Sequence, residues 1–109
     1  GAVVEESILM NDSWIGENAH LKRVISDKDI RVGENTTIGM GNNTANKKYP
    51  NLLSEGMVVI GKTARVPDNM EIGKNCLIFP DVTEECFLNR KKMSSGETIF
   101  SIVDNAWEK

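Results

Sequence analysis

Aromatic residues are scarce in this chain, only 6% of its 109 residues. A core of ordinary thickness leans on large rings, so a globule built around aromatics is excluded. Hydrophobic residues reach 39%, below the roughly 45–50% of a typical soluble domain. There is a single histidine, His20, and the two cysteines, Cys76 and Cys86, lie ten residues apart. This leaves no histidine-rich metal site, and a structural zinc site wants cysteines at shorter spacing. Two cysteines also suit a reduced, cytoplasmic protein better than a disulfide scaffold. No apolar run approaches the ~18 residues of a membrane span, so no membrane partner is expected. The start, Gly1-Ala2-Val3-Val4-Glu5-Glu6, has neither the basic lead nor the apolar stretch of a signal peptide. With 13 basic and 16 acidic residues the net charge is −3, and the pI is near 5.1. Nucleic-acid binding wants a basic face and is not expected.

What the chain has instead is a repeat. Val3, Leu9, Ile15 and Leu21 are apolar at a spacing of six; after a one-residue slip Val32 and Ile38 resume it, and Ile60, Val66, Ile72 and Ile78 form a second run. Four residues after these positions stand Ser7, Ser13, Ala19, Thr36, Ala64, Met70, Cys76 and Val82. Glycine follows the apolar residue at Gly16, Gly33, Gly39, Gly61 and Gly73, and Ile15–Ala19 and Val32–Thr36 are near copies 17 residues apart. A helical stripe would recur at three and four residues, and hairpin strands would alternate at two. Six fits a short strand and a turn, with the aliphatic residue inside, a small residue at the corner, and Gly or Asn at positive φ. Three hexads make one triangular coil of about 18 residues, the hexapeptide form of the parallel β-helix. The predicted class is therefore all-β, a solenoid of three to four coils.

The repeat also divides the chain. A hexapeptide-repeat β-helix is expected over residues 1–83. Within it, residues 40–56 are rich in Asn, Gly and Lys and are expected to loop out of the prism. From Glu84 the period fades, so residues 84–109 are expected to form a cap or tail, since solenoid ends need cover. The apolar stretch Ile99–Val103 suits a capping strand or a contact with another subunit.

Several segments resemble the C-terminal domain of the ADP-glucose pyrophosphorylase (glucose-1-phosphate adenylyltransferase) family. They are Val3–Met10, then Ile15–Ala19 followed by Val24-Ile25-Ser26-Asp27-Lys28-Asp29-Ile30, and Ser54–Lys62 closed by Val66-Pro67. The likeness spans about residues 2–83 and implies a left-handed winding. It also implies a parent enzyme that uses magnesium and joins ATP to glucose 1-phosphate, giving ADP-glucose and pyrophosphate for glycogen or starch synthesis. That chemistry belongs to an N-terminal nucleotidyltransferase domain whose Gly-rich loop has no counterpart here, so this chain is expected to be non-catalytic and to hold no cofactor. Family β-helices support subunit assembly and bind phosphorylated effectors. By resemblance, Lys62 sits where regulated members carry a lysine for the effector's phosphate, and Arg65 is close enough in sequence to join it; other subunits and a phosphorylated small molecule are the implied partners. The β-helix of another sugar-phosphate nucleotidyltransferase, such as a mannose-1-phosphate guanylyltransferase, is an alternative.

Other residues have competing readings. His20 would be the general base if the chain were a hexapeptide acyltransferase, but it falls at a turn beside Leu21 and Lys22, where a surface histidine is expected. Cys76 takes a small inward slot and reads as a compact apolar side chain. The clusters Arg90-Lys91-Lys92 and Lys47-Lys48 read as solubilising charge in an acidic chain. Trp14 and Trp107 either pack under the insertion or tail, or contact a catalytic domain or another subunit.

Overall fold

The computed structural model describes residues 1–101. Among these are thirteen short strands: β1 (Val3–Glu5), β2 (Ile8–Leu9), β3 (Trp14–Ile15), β4 (His20–Lys22), β5 (Val24–Ser26), β6 (Arg31–Val32), β7 (Thr37–Ile38), β8 (Val58–Ile60), β9 (Arg65–Val66), β10 (Glu71–Ile72), β11 (Leu77–Ile78), β12 (Lys92–Met93) and β13 (Thr98–Ile99). The chain lays them in rotation onto three sheets. The first sheet runs β1-β4-β7-β10-β12, the second β2-β5-β8-β11-β13, and the third β3-β6-β9. Every pairing is parallel. The structure is thus all-β with parallel sheets, as a hexapeptide β-helix requires.

The register explains the repeat and corrects one of its positions. In the first sheet Val4, not Val3, lies beside Leu21, which continues to Ile38, Ile72 and Met93. Val3 points outward with His20 and is 48% exposed. The corner between the first and second sheets is one residue shorter in the first two coils, so the inward slots fall at 4, 9, 15, 21, 26 and 32. The slip after Leu21 has the same cause. Its inward residue is Ser26, a hydroxyl in an aliphatic ladder of Leu9, Ile60, Ile78 and Ile99. Leu21, Val32, Ile38, Ile60, Val66, Ile72, Ile78 and Met93 are all essentially buried, each large aliphatic contributing about 1.5–3 kcal/mol by leaving water.

The corners separate two jobs that the sequence had merged. Positive φ is taken by Asp12, Asn18, Asp29, Asn35, Asn69, Asn75 and Asp81, with Glu6, Arg23 and Thr63 in equivalent places. Asn and Asp tolerate this left-handed region better than other side chains. Gly16, Gly33, Gly61 and Gly73, after the aliphatic residue, serve close approach instead, and Gly39 combines close approach with φ 95°. A Cβ on Gly33 would sit 2.4 Å from the Asp68 amide nitrogen, and one on Gly73 would sit 2.4 Å from Ser95 Oγ. Glycine is required there because the next coil's backbone already occupies the space.

Two further expectations change. The insertion leaves the three sheets as a loop, but it lies against the prism and does not project from it. Asn46, fully buried, donates through Nδ2 to the carbonyls of Asn75 and Glu97, and its Oδ1 accepts from the amides of Lys48 and Tyr49. Asn75 donates to Asn43 Oδ1 and the Thr44 carbonyl and accepts from the Gly56 amide. These two amides bind the insertion down along the corner between the first two sheets. The sheets also run past residue 83, where a cap was expected to begin. A 3₁₀ turn at Glu84–Phe87 comes where the rotation would place another third-sheet strand, burying Phe87. β12 and β13 then pair with β10 and β11 at a 21-residue offset. The extra residues hid the period from a search at six.

Candidate functional site

Lys62 and Arg65 bracket the corner between β8 and β9. Lys62 is exposed and its side chain makes no ion pair among the described residues. Arg65 is half-buried and held in place. Its Nη1 donates to the carbonyls of Asp29 (2.7 Å), Thr63 (3.1 Å) and Ala64 (3.3 Å), and Nη2 lies 3.9 Å from Asp29 Oδ1. Carbonyl contacts orient a guanidinium without neutralising it, so Arg65 keeps most of its charge. A shallow depression beside it is lined by Thr83, Glu84 and Glu85, which puts carboxylates on the far side of the arginine.

Thr63 between them adopts φ 61°. Its hydroxyl is shared between the Lys62 carbonyl and Asp81 Oδ1, so the corner is stitched to the coil above. Trp14 begins the third sheet and is 49% exposed, with the Arg31 guanidinium carbon 5.9 Å from its ring centroid. Sequence reasoning left out Arg31; the signal was its in-register place between Trp14 and Arg65. Trp107 lies outside the described residues.

His20 lies on the outer face of the first sheet, with Nε2 3.4 Å from Glu5 Oε2. Its strand neighbours are Val3 and Thr37. Cys76 is fully buried, and burial pushes its thiol up from 9.0 to about 11. It is therefore protonated at neutral pH and is a poor nucleophile or metal ligand. Among the described residues, no three His, Cys, Asp or Glu side chains converge to hold a metal ion. No helix among them is long and apolar enough to cross a membrane. A cleft of about 180 Å³ at the root of the insertion is lined by residues including Met40, Glu71, Lys92 and Ser95, and holds neither Lys62 nor Arg65.

Comparison with known proteins agrees with this architecture. The family described as GlmU-like, C-terminal hexapeptide matches residues 1–60. A glucose-1-phosphate adenylyltransferase of Acetivibrio thermocellus is 42% identical over 104 residues, covering 90% of this chain and 24% of that protein. One from Thermomicrobium roseum is 41% identical over 103 residues, covering 94% and 24%. Glucose-1-phosphate adenylyltransferase 1 of Vibrio vulnificus (strain YJ016) is 44% identical over 63 residues, 58% of this chain and 15% of that one. The chain thus spans about a quarter of the length of the first two relatives. No solved structure matches it. The resemblance read from Val3–Met10, Val24–Ile30 and Ser54–Lys62 holds: the chain belongs to the GlmU-like, C-terminal hexapeptide family, and its curated homologues are glucose-1-phosphate adenylyltransferases.

Proposed function

We propose that this chain is the β-helix module of a glucose-1-phosphate adenylyltransferase-like protein, wound left-handedly, and that it serves assembly and regulation rather than catalysis. The observation carrying this reading is the 42% identity over 104 residues, an alignment that covers 90% of this chain. Likeness over nearly the whole chain, and not over the hexads alone, supports a shared role. The parent's reaction would join ATP and glucose 1-phosphate, with magnesium, into ADP-glucose and pyrophosphate, in the cytoplasm. In this module, Lys62 and the oriented Arg65 receive a phosphorylated effector, and other subunits pack against its coils.

Regulation of this kind requires that the effector bind two states of the parent unequally. A rigid stack suits that task, because interfaces against it shift as units instead of deforming. The test is an assay of the full polypeptide from which this chain derives. ADP-glucose formation from ATP and glucose 1-phosphate is expected of it, stimulated by a phosphorylated metabolite, and none is expected of residues 1–109 alone. Turnover by residues 1–109, or a full polypeptide inert toward both substrates, would overturn the reading.

A further inference from the structure

Successive side chains of a strand point to opposite faces, so each sheet shows an outward column as well as an inward one. In the first sheet the outward column is Val3, His20, Thr37, Glu71 and Lys92, and in the third it is Trp14, Arg31 and Arg65. In the second sheet it is Ile8, Ile25, Val59, Leu77 and Thr98. Its four aliphatic members stand on consecutive rungs about 4.8 Å apart. Ile8 is 60% exposed, and Ile25, Val59 and Leu77 are partly exposed. The insertion reaches the top of this column, where Asn46 Nδ2 donates to Thr98 Oγ1 at 3.0 Å and Lys48 Nζ lies 5.1 Å from the Phe100 ring centroid.

The second rung shows how firmly this outer face is kept apolar. Ile25 points out while Ser26 points in, where its hydroxyl is buried without a partner among the described residues. A prism standing alone in water would favour the two residues exchanged, because a buried unpaired hydroxyl is costly. An apolar column between polar neighbours marks a protein contact. The two edges of the face differ in charge. At the corner toward the third sheet, Asp12, Asp27, Asp29 and Asp81 outnumber Lys28 and Lys62. At the corner toward the first sheet, Arg23, Lys47, Lys48 and Lys74 stand against Glu6, Glu55 and Glu97, and Arg90 already holds Glu97 at 2.8 Å. One edge is therefore acidic and the other basic.

We propose that a second copy of this chain packs on this face, second sheet to second sheet, about a dyad parallel to the stack axis. A two-fold contact sets the same patch of both copies together. With the dyad along the axis, each rung meets the same rung of its partner, so the two aliphatic columns mesh at identical spacing over their whole height. That dyad also sets the acidic edge of one copy against the basic edge of the other, twice. A dyad across the axis would set like edge against like, and juxtaposed like charges disfavour a partner. The proposal rests on the reading that other subunits pack against the coils, and it names the face they use.

The test is sedimentation equilibrium of the chain, which is expected to run at twice its 12.1 kDa. Val59→Lys with Leu77→Lys should leave a monomer, and Ile8→Lys, at the most exposed member of the column, should weaken the dimer at least tenfold. Urea midpoints show that these outward variants still fold. Val4→Lys, at the open end of the stack, should leave the dimer intact. Asp12→Lys with Asp27→Lys should weaken it at least tenfold, and adding Lys47→Glu with Lys48→Glu should restore it, as the dyad along the axis requires. A monomeric chain means that something other than a second copy covers the face, and it overturns the proposal. So does a dimer that survives Ile8→Lys and the Val59, Leu77 pair, one that Val4→Lys abolishes, or a charge reversal that restores nothing. Assembly is read here without catalysis, so a dimeric chain whose parent makes no ADP-glucose keeps the dimer and sinks the proposed function. A monomeric chain from an active parent sinks the dimer alone.

Discussion

Ser26 stands in the second-sheet ladder between Leu9 and Ile60. Its Oγ is buried and, among the described residues, has no hydrogen-bond partner. An unsatisfied buried hydroxyl costs about 1–3 kcal/mol, so Ser26→Ala should stabilise the chain by about 1 kcal/mol, read as a higher urea midpoint at unchanged slope. Gly33→Ala should act in the opposite sense. Its methyl would meet the Asp68 amide and Oδ1 at 2.4 Å, and such overpacking typically costs about 1–3 kcal/mol. Cys76 adds a pH signature. The unfolded thiol loses its proton from about pH 9 upward, whereas the folded one keeps it to about pH 11. The folded state thus holds the extra proton within that window, and stability should fall as pH rises through it. Urea melts at pH 8.5 and 10.5, with Cys76→Ala as the flat reference, check this. At this scale the sequence was legible wherever side-chain type and slot agree, as for the aliphatics, for Asn18 and Asn35 at positive φ, and for buried Cys76 and Ala64. It was silent on Ser26, because a serine in the aliphatic slot looks like a slipped period.

The insertion is the element that departs most from expectation. Composition marked residues 40–56 as a loop, and Asn, Gly and Lys do describe an irregular backbone. They do not say where it lies. Asn46 and Asn75 decide that through long-range hydrogen bonds to residues 29 to 52 positions away, beyond the reach of any local pattern. Asn46→Ala removes the buried amide and should release the segment. Trypsin is then expected to cut after Lys47 or Lys48 several-fold faster than in the unaltered chain, with the coil resonances unchanged in an NMR spectrum. The coil after residue 83 was hidden for a related reason. The 3₁₀ turn at Glu84–Phe87 lengthens that coil to 21 residues, so Met93 and Ile99 fall out of phase with the hexads while still stacking on Ile72 and Ile78.

For the molecule as a whole, the two ends of the stack differ. Val3, Val4, Ile8, Met10 and Trp14 in the first coil are between 42% and 60% exposed, whereas Met93 and Ile99 in the last sheets' rungs are buried. Solenoid ends need cover for solubility, and an open edge of parallel strands invites pairing. The scarcity of aromatics now has its cause. Three sheets enclose a prism narrow enough for Leu, Ile and Val to fill, and Phe87 enters only where a turn replaces a strand. The all-β parallel fold and the family were readable from one sequence because the repeat is periodic, and the turn that carries Lys62 and Arg65 because corners are local. The stacking of Arg31 on Arg65 was not, since it depends on how many residues the insertion adds between the two coils.

On this reading the β-helix is one part of a longer sugar-phosphate adenylyltransferase. Reading the coding sequence upstream of the codon for Gly1 tests it most directly. The expected result is an open frame that continues into a nucleotidyltransferase domain with a Gly-rich nucleotide loop, bringing the total near the length of the Acetivibrio thermocellus relative. An in-frame stop immediately upstream, or a preceding domain of another kind, would contradict it.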